Sequence, residues 1–252
     1  MISSPRMAIP VAAALFLLLP AAAPAQAQNF SAEQRHEIES IVKDYLVQHP
    51  EVLHDAMMEL EKREQTAEVE KHRAAVEENS QALFSSPHQV VLGNPNGNFT
   101  MVEFFDYNCG FCKRALSDML DLLKSNPDLK FVLKEFPVLG EGSVEAAHVA
   151  VAARMQDPTG KKYLEFHRKL LGGRGPADEA RALAVAKEVG FDMARIAKDL
   201  GSEEVKTTIH ESMTLADLLG VSGTPTYVVG SEVIVGAVGL DALKEKIEAV
   251  RK

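Results

Sequence analysis

The chain has two cysteines, and they stand three residues apart. They are Cys109 and Cys112, in the stretch FFDYNCGFCKRA. A bridge between them closes almost no loop, and the stabilisation a cross-link gives grows with the length of loop it closes. The pair is therefore a poor structural staple. Half of a zinc site is the other ordinary use of this spacing. It needs a second Cys-x-x-Cys or a His-x3–5-His pair near the cysteines, and neither is there. What remains is chemistry at sulfur. The flanks define the local fold. FTMVEFF, rich in aromatic and β-branched residues, reads as a strand. After Cys112 the apolar residues Ala115, Leu116, Met119, Leu120, Leu122 and Leu123 recur with helical period. LKFVLKEFPV, residues 129–138, is a second strand. Strand, helix, strand implies a right-handed parallel crossover.

Around this unit, HQVVLG reads as a short strand and NPNG as a turn. From about 141 to 219 the pattern is helical, with SVEAAHVAVAARMQ, KKYLEFHRKLL and ADEARALAVAKEVG followed by two shorter pieces. Strands return in TPTYVVGSEVIVG, where Gly230 followed by Ser231 suits a type II′ turn. An amphipathic helix over 240–250 ends the pattern. The expected class is α/β: a βαβ unit, a helical insertion over about 141–219, then ββα, all within a catalytic domain at 87–252.

Residues 1–27 read as a cleavable export signal. Arg6 precedes the apolar run AIPVAAALFLLLPAAA, and AQA at 25–27 is a small-residue cleavage site. The expected location is an oxidising compartment, a bacterial periplasm. Residues 28–86 form a helical arm and linker. Ser31 and Gln34 have capping-box spacing. Ile38, Ile41, Val42, Tyr45 and Leu46 fall on one helix face and need a partner surface, so a homo-oligomer, dimer or trimer, is expected. Pro50 fits the first turn of a second helix. That helix becomes charged almost all round before the breaker SSP at 85–87. With 27 Lys and Arg against 36 Asp and Glu, the net charge of −9 argues against a nucleic-acid partner.

The chemistry follows from position. Unpaired N–H groups at a helix start favour an anion, so Cys109 is expected to be the exposed, attacking thiolate. Cys112, one turn inside, is expected to be buried and to resolve mixed disulfides. Gly110 leaves room for a substrate backbone and Phe111 offers it an apolar contact. The eight histidines form no further site by spacing and are expected on the surface. No cofactor is expected and no separate metal site, although two thiolates can hold Cu(I).

VEFFDYNCGFC and, far downstream, GVSGTPTYVVG together resemble the DsbA-like thiol–disulfide oxidoreductases, from about residue 88 onward. The resemblance implies a thioredoxin fold interrupted by a helical insertion. It implies a cis bond between Thr224 and Pro225, in a loop beside the cysteines that binds substrate backbone. It also implies a role for Glu103, six residues before Cys109. A buried carboxylate there relays the proton of Cys112, although strand alternation alone leaves this Glu equally able to face water. FSAEQRHEIESIVKDYLVQHPEVLHDAM resembles the N-terminal segment of the ScsC-type (suppressor of copper sensitivity) subgroup, in which that segment drives oligomerisation. The leading expectation is an oligomeric disulfide isomerase acting on exported cysteine-containing proteins, reset by a membrane redox partner. The alternatives are a dithiol oxidase that donates its disulfide, and a copper-binding thiol protein.

Overall fold

The structure is a computed structural model and describes residues 30–251. The expected export signal at 1–27 lies outside the described residues. The chain divides into two compact units between Glu59 and Leu60.

The first unit contains helix α1 (Ala32–Gln48) and the start of helix α2 (Pro50–Glu78). The capping box forms as expected: the Gln34 N–H donates to Ser31 Oγ at 3.2 Å, and the Ser31 N–H to Gln34 Oε1 at 2.9 Å. No residue of α1 is buried. Ile38, Ile41, Val42 and Tyr45 are exposed and Leu46 is half-buried.

The second unit is built on a five-stranded sheet in the order β1-β3-β2-β4-β5. Its strands are β1 (Val90–Gly93), β2 (Phe99–Phe105), β3 (Leu129–Glu135), β4 (Thr226–Val229) and β5 (Glu232–Val235). β2 and β3 are parallel, joined by α4 (Gly110–Ser125), and every other pairing is antiparallel. Gly230 has φ of +60° and Ser231 does not have positive φ, as a type II′ turn requires. β3 stops at Glu135, three residues before the expected end. Phe136 still donates to Phe105 O at 2.9 Å, but Pro137 has no N–H to continue the ladder.

Between β3 and β4 lie α5 (Glu141–Arg154), α6 (Lys161–Leu171), α7 (Glu179–Val189), α8 (Met193–Asp199) and α9 (Glu203–Leu218). The last of these, expected as a short piece, is 16 residues long and capped by Ser202. Helix α10 (Leu240–Val250) follows β5.

Both sheet faces are covered. Met101 and Phe105 of β2 enter a core shared with α4, the inserted helices and α10. Val102 and Phe104 enter a second core with Val76 of α2, Leu83 of α3 (Ser80–Phe84), and Leu215 and Leu219 around the end of α9. The breaker at 85–87 thus follows two residues that already belong to this second core. Lys134 anchors the same region. Fully buried on β3, it donates to Ala82 O at 2.7 Å and pairs with Glu211 at 2.9 Å. A buried ammonium needs such partners to remain inside.

Candidate active site

The cysteine loop begins where β2 ends. Cys109 is the N-cap of α4, with extended backbone, and its sulfur accepts the Cys112 N–H at 3.4 Å. On its other side the Cys109 thiol donates to the carbonyl of Thr224 at 3.1 Å. The Thr224-Pro225 bond is cis. Its loop is pinned by Thr226 Oγ1 to Gly223 O at 2.8 Å and by the Gly236 N–H to Pro225 O at 2.8 Å. Two stretches more than a hundred residues apart therefore meet at one sulfur.

Cys109 was expected to be exposed, but it is 6% exposed, because the Thr224–Pro225 loop lies against it. Cys112 is fully buried. The two thiols thus differ little in exposure and more in surroundings. Burial pushes the Cys112 thiol well up, and the negative charge of Glu103 adds to this. A backbone hydrogen bond from Asp106 and the Thr224 side chain pull the other way. Gly110 is exposed, with open space where a Cβ would stand. Phe111 is 57% exposed beside the pair, and the Arg114 guanidinium lies 4.2 Å above its ring.

Glu103 is 3% exposed. Alternation along β2 puts it on the same face as Met101 and Phe105, beneath α4. It pairs in register with Leu133 and Tyr227. Burial raises its carboxyl to about 8, with the charges of Cys109 and Asp118 contributing. A carboxyl in that range can hold or release a proton near neutral pH. Thr224 is half-buried and Pro225 buried.

Several residues that shape this site carry no motif of their own. The Asp106 carboxylate accepts the Asn108 N–H and Ser143 Oγ, both at 2.7 Å, and the N–H groups of Val138 and Leu139 at 2.9 and 3.0 Å. The signal available in sequence is a polar residue directly after an apolar strand and just ahead of a cysteine. His167 was expected at the surface, but it is buried, and burial pushes its imidazole down to about 3. It lies 3.3 Å from the Tyr107 hydroxyl, which meets the Tyr163 hydroxyl at 3.1 Å. Tyr163 in turn donates to Glu135 at 2.8 Å. Among the described residues no group of three His, Cys, Asp or Glu is placed to hold a metal ion.

The DSBA-like thioredoxin domain family matches residues 100–248, more than half the chain, and the copper resistance protein ScsC N-terminal domain family matches residues 34–67. Among solved structures, a thioredoxin-like oxidoreductase from Silicibacter pomeroyi is 42% identical, with a TM-score of 0.64 over 68% of this chain and 96% of its own. A linker-deletion mutant of Proteus mirabilis ScsC is 25% identical, with a TM-score of 0.67 over 90% of this chain and 99% of its own. Disulfide bond formation protein D of Bacillus subtilis is 27% identical over 173 residues, 64% of this chain and 76% of that protein. The chain also matches Na(+)/H(+) antiporter NhaA 1 of Salinispora arenicola at 27% identity over 159 residues, 62% of this chain, but spans only 24% of that protein's length. With the paired cysteines, the cis proline and the sheet they rest on, these matches make the chain a member of the DsbA-like thiol–disulfide oxidoreductase family, carrying an ScsC-type N-terminal segment ahead of its thioredoxin domain.

Proposed function

We propose that this protein is a periplasmic, homo-oligomeric disulfide isomerase for exported proteins. The Cys109 thiolate attacks one sulfur of a wrong disulfide. A mixed disulfide forms, and one substrate cysteine leaves as a thiolate. That thiolate attacks a second disulfide of the same substrate, and the different thiolate released there attacks the substrate sulfur joined to Cys109, which forms a new pairing and regenerates the Cys109 thiolate. No electrons are gained or lost overall. When rearrangement stalls, Cys112 attacks the Cys109 sulfur and releases the substrate reduced, leaving a Cys109–Cys112 disulfide. A membrane redox partner must then supply two electrons to reset it. In this reading Glu103 takes the proton from Cys112, while Thr224, Pro225, Gly110 and Phe111 receive the substrate backbone and side chains.

The observation that carries the isomerase reading is the bare stripe of α1. Ile38, Ile41, Val42 and Tyr45 are exposed on a helix with no buried residue. Such a face calls for a partner, and a second copy supplies one. Several active sites in one assembly then meet a bound substrate at high effective concentration. The test is reactivation of a scrambled disulfide protein by the reduced full-length chain, beside oxidation of a reduced substrate by the oxidised chain. Catalysed reactivation supports the isomerase. Activity confined to the second assay supports a dithiol oxidase, the reading favoured by the likeness to a protein named for disulfide bond formation.

A further inference from the structure

Asn108 stands immediately before Cys109, and all the hydrogen-bonding capacity of its amide nitrogen is used. Its Oδ1 accepts the Ala177 N–H at 2.7 Å. Its Nδ2 donates to the Ala177 carbonyl at 2.8 Å and to Ser143 Oγ at 2.9 Å. The side chain thus pairs with one backbone residue in both directions, as a strand neighbour would, and Ala177 is itself buried. The Asn108 N–H is held in turn by Asp106, which also takes the Ser143 hydroxyl. On the far side of the cysteine pair, Lys113 Nζ donates to Gly175 O at 3.2 Å. The 172–177 loop of the helical insertion is therefore tied to the cysteine loop once before Cys109 and once after Cys112.

We propose that Asn108 is a positioning residue for the thiol exchange, locking the 172–177 loop against the cysteine loop so that the Cys109 sulfur stays between the Cys112 N–H and the Thr224 carbonyl. The proposal rests on Cys109 being the attacking sulfur. The Cys112 N–H contact, at 3.4 Å, is an ordinary length for a bond to sulfur, and because such a bond weakens as its angle closes, a turn of the cysteine loop is enough to weaken it. That contact stabilises the thiolate and hence the reduced state. Only an amide fits the lock, since a carboxylate keeps the Ala177 N–H bond, loses both donors and sets its charge against a carbonyl.

The test uses the full-length chain with Asn108→Asp, Asn108→Ala, Ser143→Ala and Cys109→Ser. The measurements are the equilibrium constant with glutathione, the rate of mixed-disulfide formation and the melting temperature. Both Asn108 variants are expected to be weaker oxidants, with the equilibrium constant moved about tenfold, roughly 30 mV for a two-electron couple. The rate of attack is expected to fall with it. Ser143→Ala, which removes one bond, is expected to move the constant in the same direction by about two- to threefold, and it carries the test if the Asn108 variants do not fold. A lowered melting temperature with unchanged equilibrium constant and rate would overturn the positioning role. Exchange persisting in Cys109→Ser would instead overturn the assignment of the attacking sulfur.

Discussion

Ile41 and Val76 are both aliphatic residues on well-formed helices with charged neighbours, yet Ile41 is 61% exposed and Val76 is 2% exposed. Val76 has the sheet: with Leu83 it fills the space over Val102, Phe104 and Val132. Among the described residues of its own unit nothing buries Ile41, Ile38 or Val42, and Tyr45, although its ring meets that of His49, stays exposed as well. Helix α2 passes from one condition to the other along its length. The contrast teaches that amphipathic spacing marks a face to be covered without naming the cover. In the second unit the chain covers the face itself. In the first, on our reading, a second copy does.

The severest way to break this comparison is to cut the chain at the two candidate boundaries. Removing residues 28–59 is expected to leave a cooperatively melting, redox-active protein. Removing 28–84 takes away Val76, Leu83 and the carbonyl that holds buried Lys134, and is expected to give a chain that does not melt cooperatively. A calorimetric scan of each distinguishes them. Next in size, Leu83→Ala is expected to cost about 2–5 kcal/mol in denaturant unfolding, because the fully packed site cannot collapse around the loss.

Glu103 sharpens the comparison through pH. Its carboxyl holds a proton up to about pH 8 when folded, whereas an unfolded glutamate loses it near pH 4.5. Between those values the native state binds more protons, so stability falls as pH rises through the window and levels off above it. Glu103→Gln is expected to flatten that slope and to be more stable than the parent at pH 8, by an amount on the order of a few kcal/mol. Parallel slopes in urea titrations from pH 5 to 8 would count against a buried, protonated Glu103. The same variant is expected to slow release of mixed disulfides if the carboxyl serves Cys112. The smallest effect is expected at the arm: Ile41→Asp should change the melting of the 60–252 unit by no more than about 0.5 kcal/mol, as exposed substitutions do.

Much of this is legible in the amino-acid sequence. The period of the residues after Cys112 gave α4, and the two apolar runs on either side gave β2 and β3 with a parallel crossover. The Thr224–Pro225 loop was reached only through resemblance, since nothing in GVSGTPTYVVG alone says that it meets a sulfur 115 residues upstream. What escaped has a common cause. Asp106 and Asn108 look like loop polarity, and their roles depend on Leu139, just past β3, and on Ser143 and Ala177, which only the folded insertion brings near. His167 looked like a surface residue because a histidine on a charged helix usually is. Its burial follows from the packing of α6 on Phe105 and Tyr107, a tertiary fact. The burial of Cys109 is hidden in the sequence for the same reason, since its cover comes from the distant Thr224–Pro225 loop. Breaker residues at 85–87 mark a turn, and a turn is not always where a compact unit begins.

The central claim is that the α1 stripe is covered by other copies of this chain. The direct measurement is the mass of the full-length mature protein by sedimentation equilibrium at micromolar concentration, beside Ile41→Asp with Val42→Asp. The account predicts twice or three times the chain mass for the parent and a single chain mass for the double variant, with the two melting alike. A parent that sediments as one chain, or a double variant that keeps the parent's mass, would contradict it.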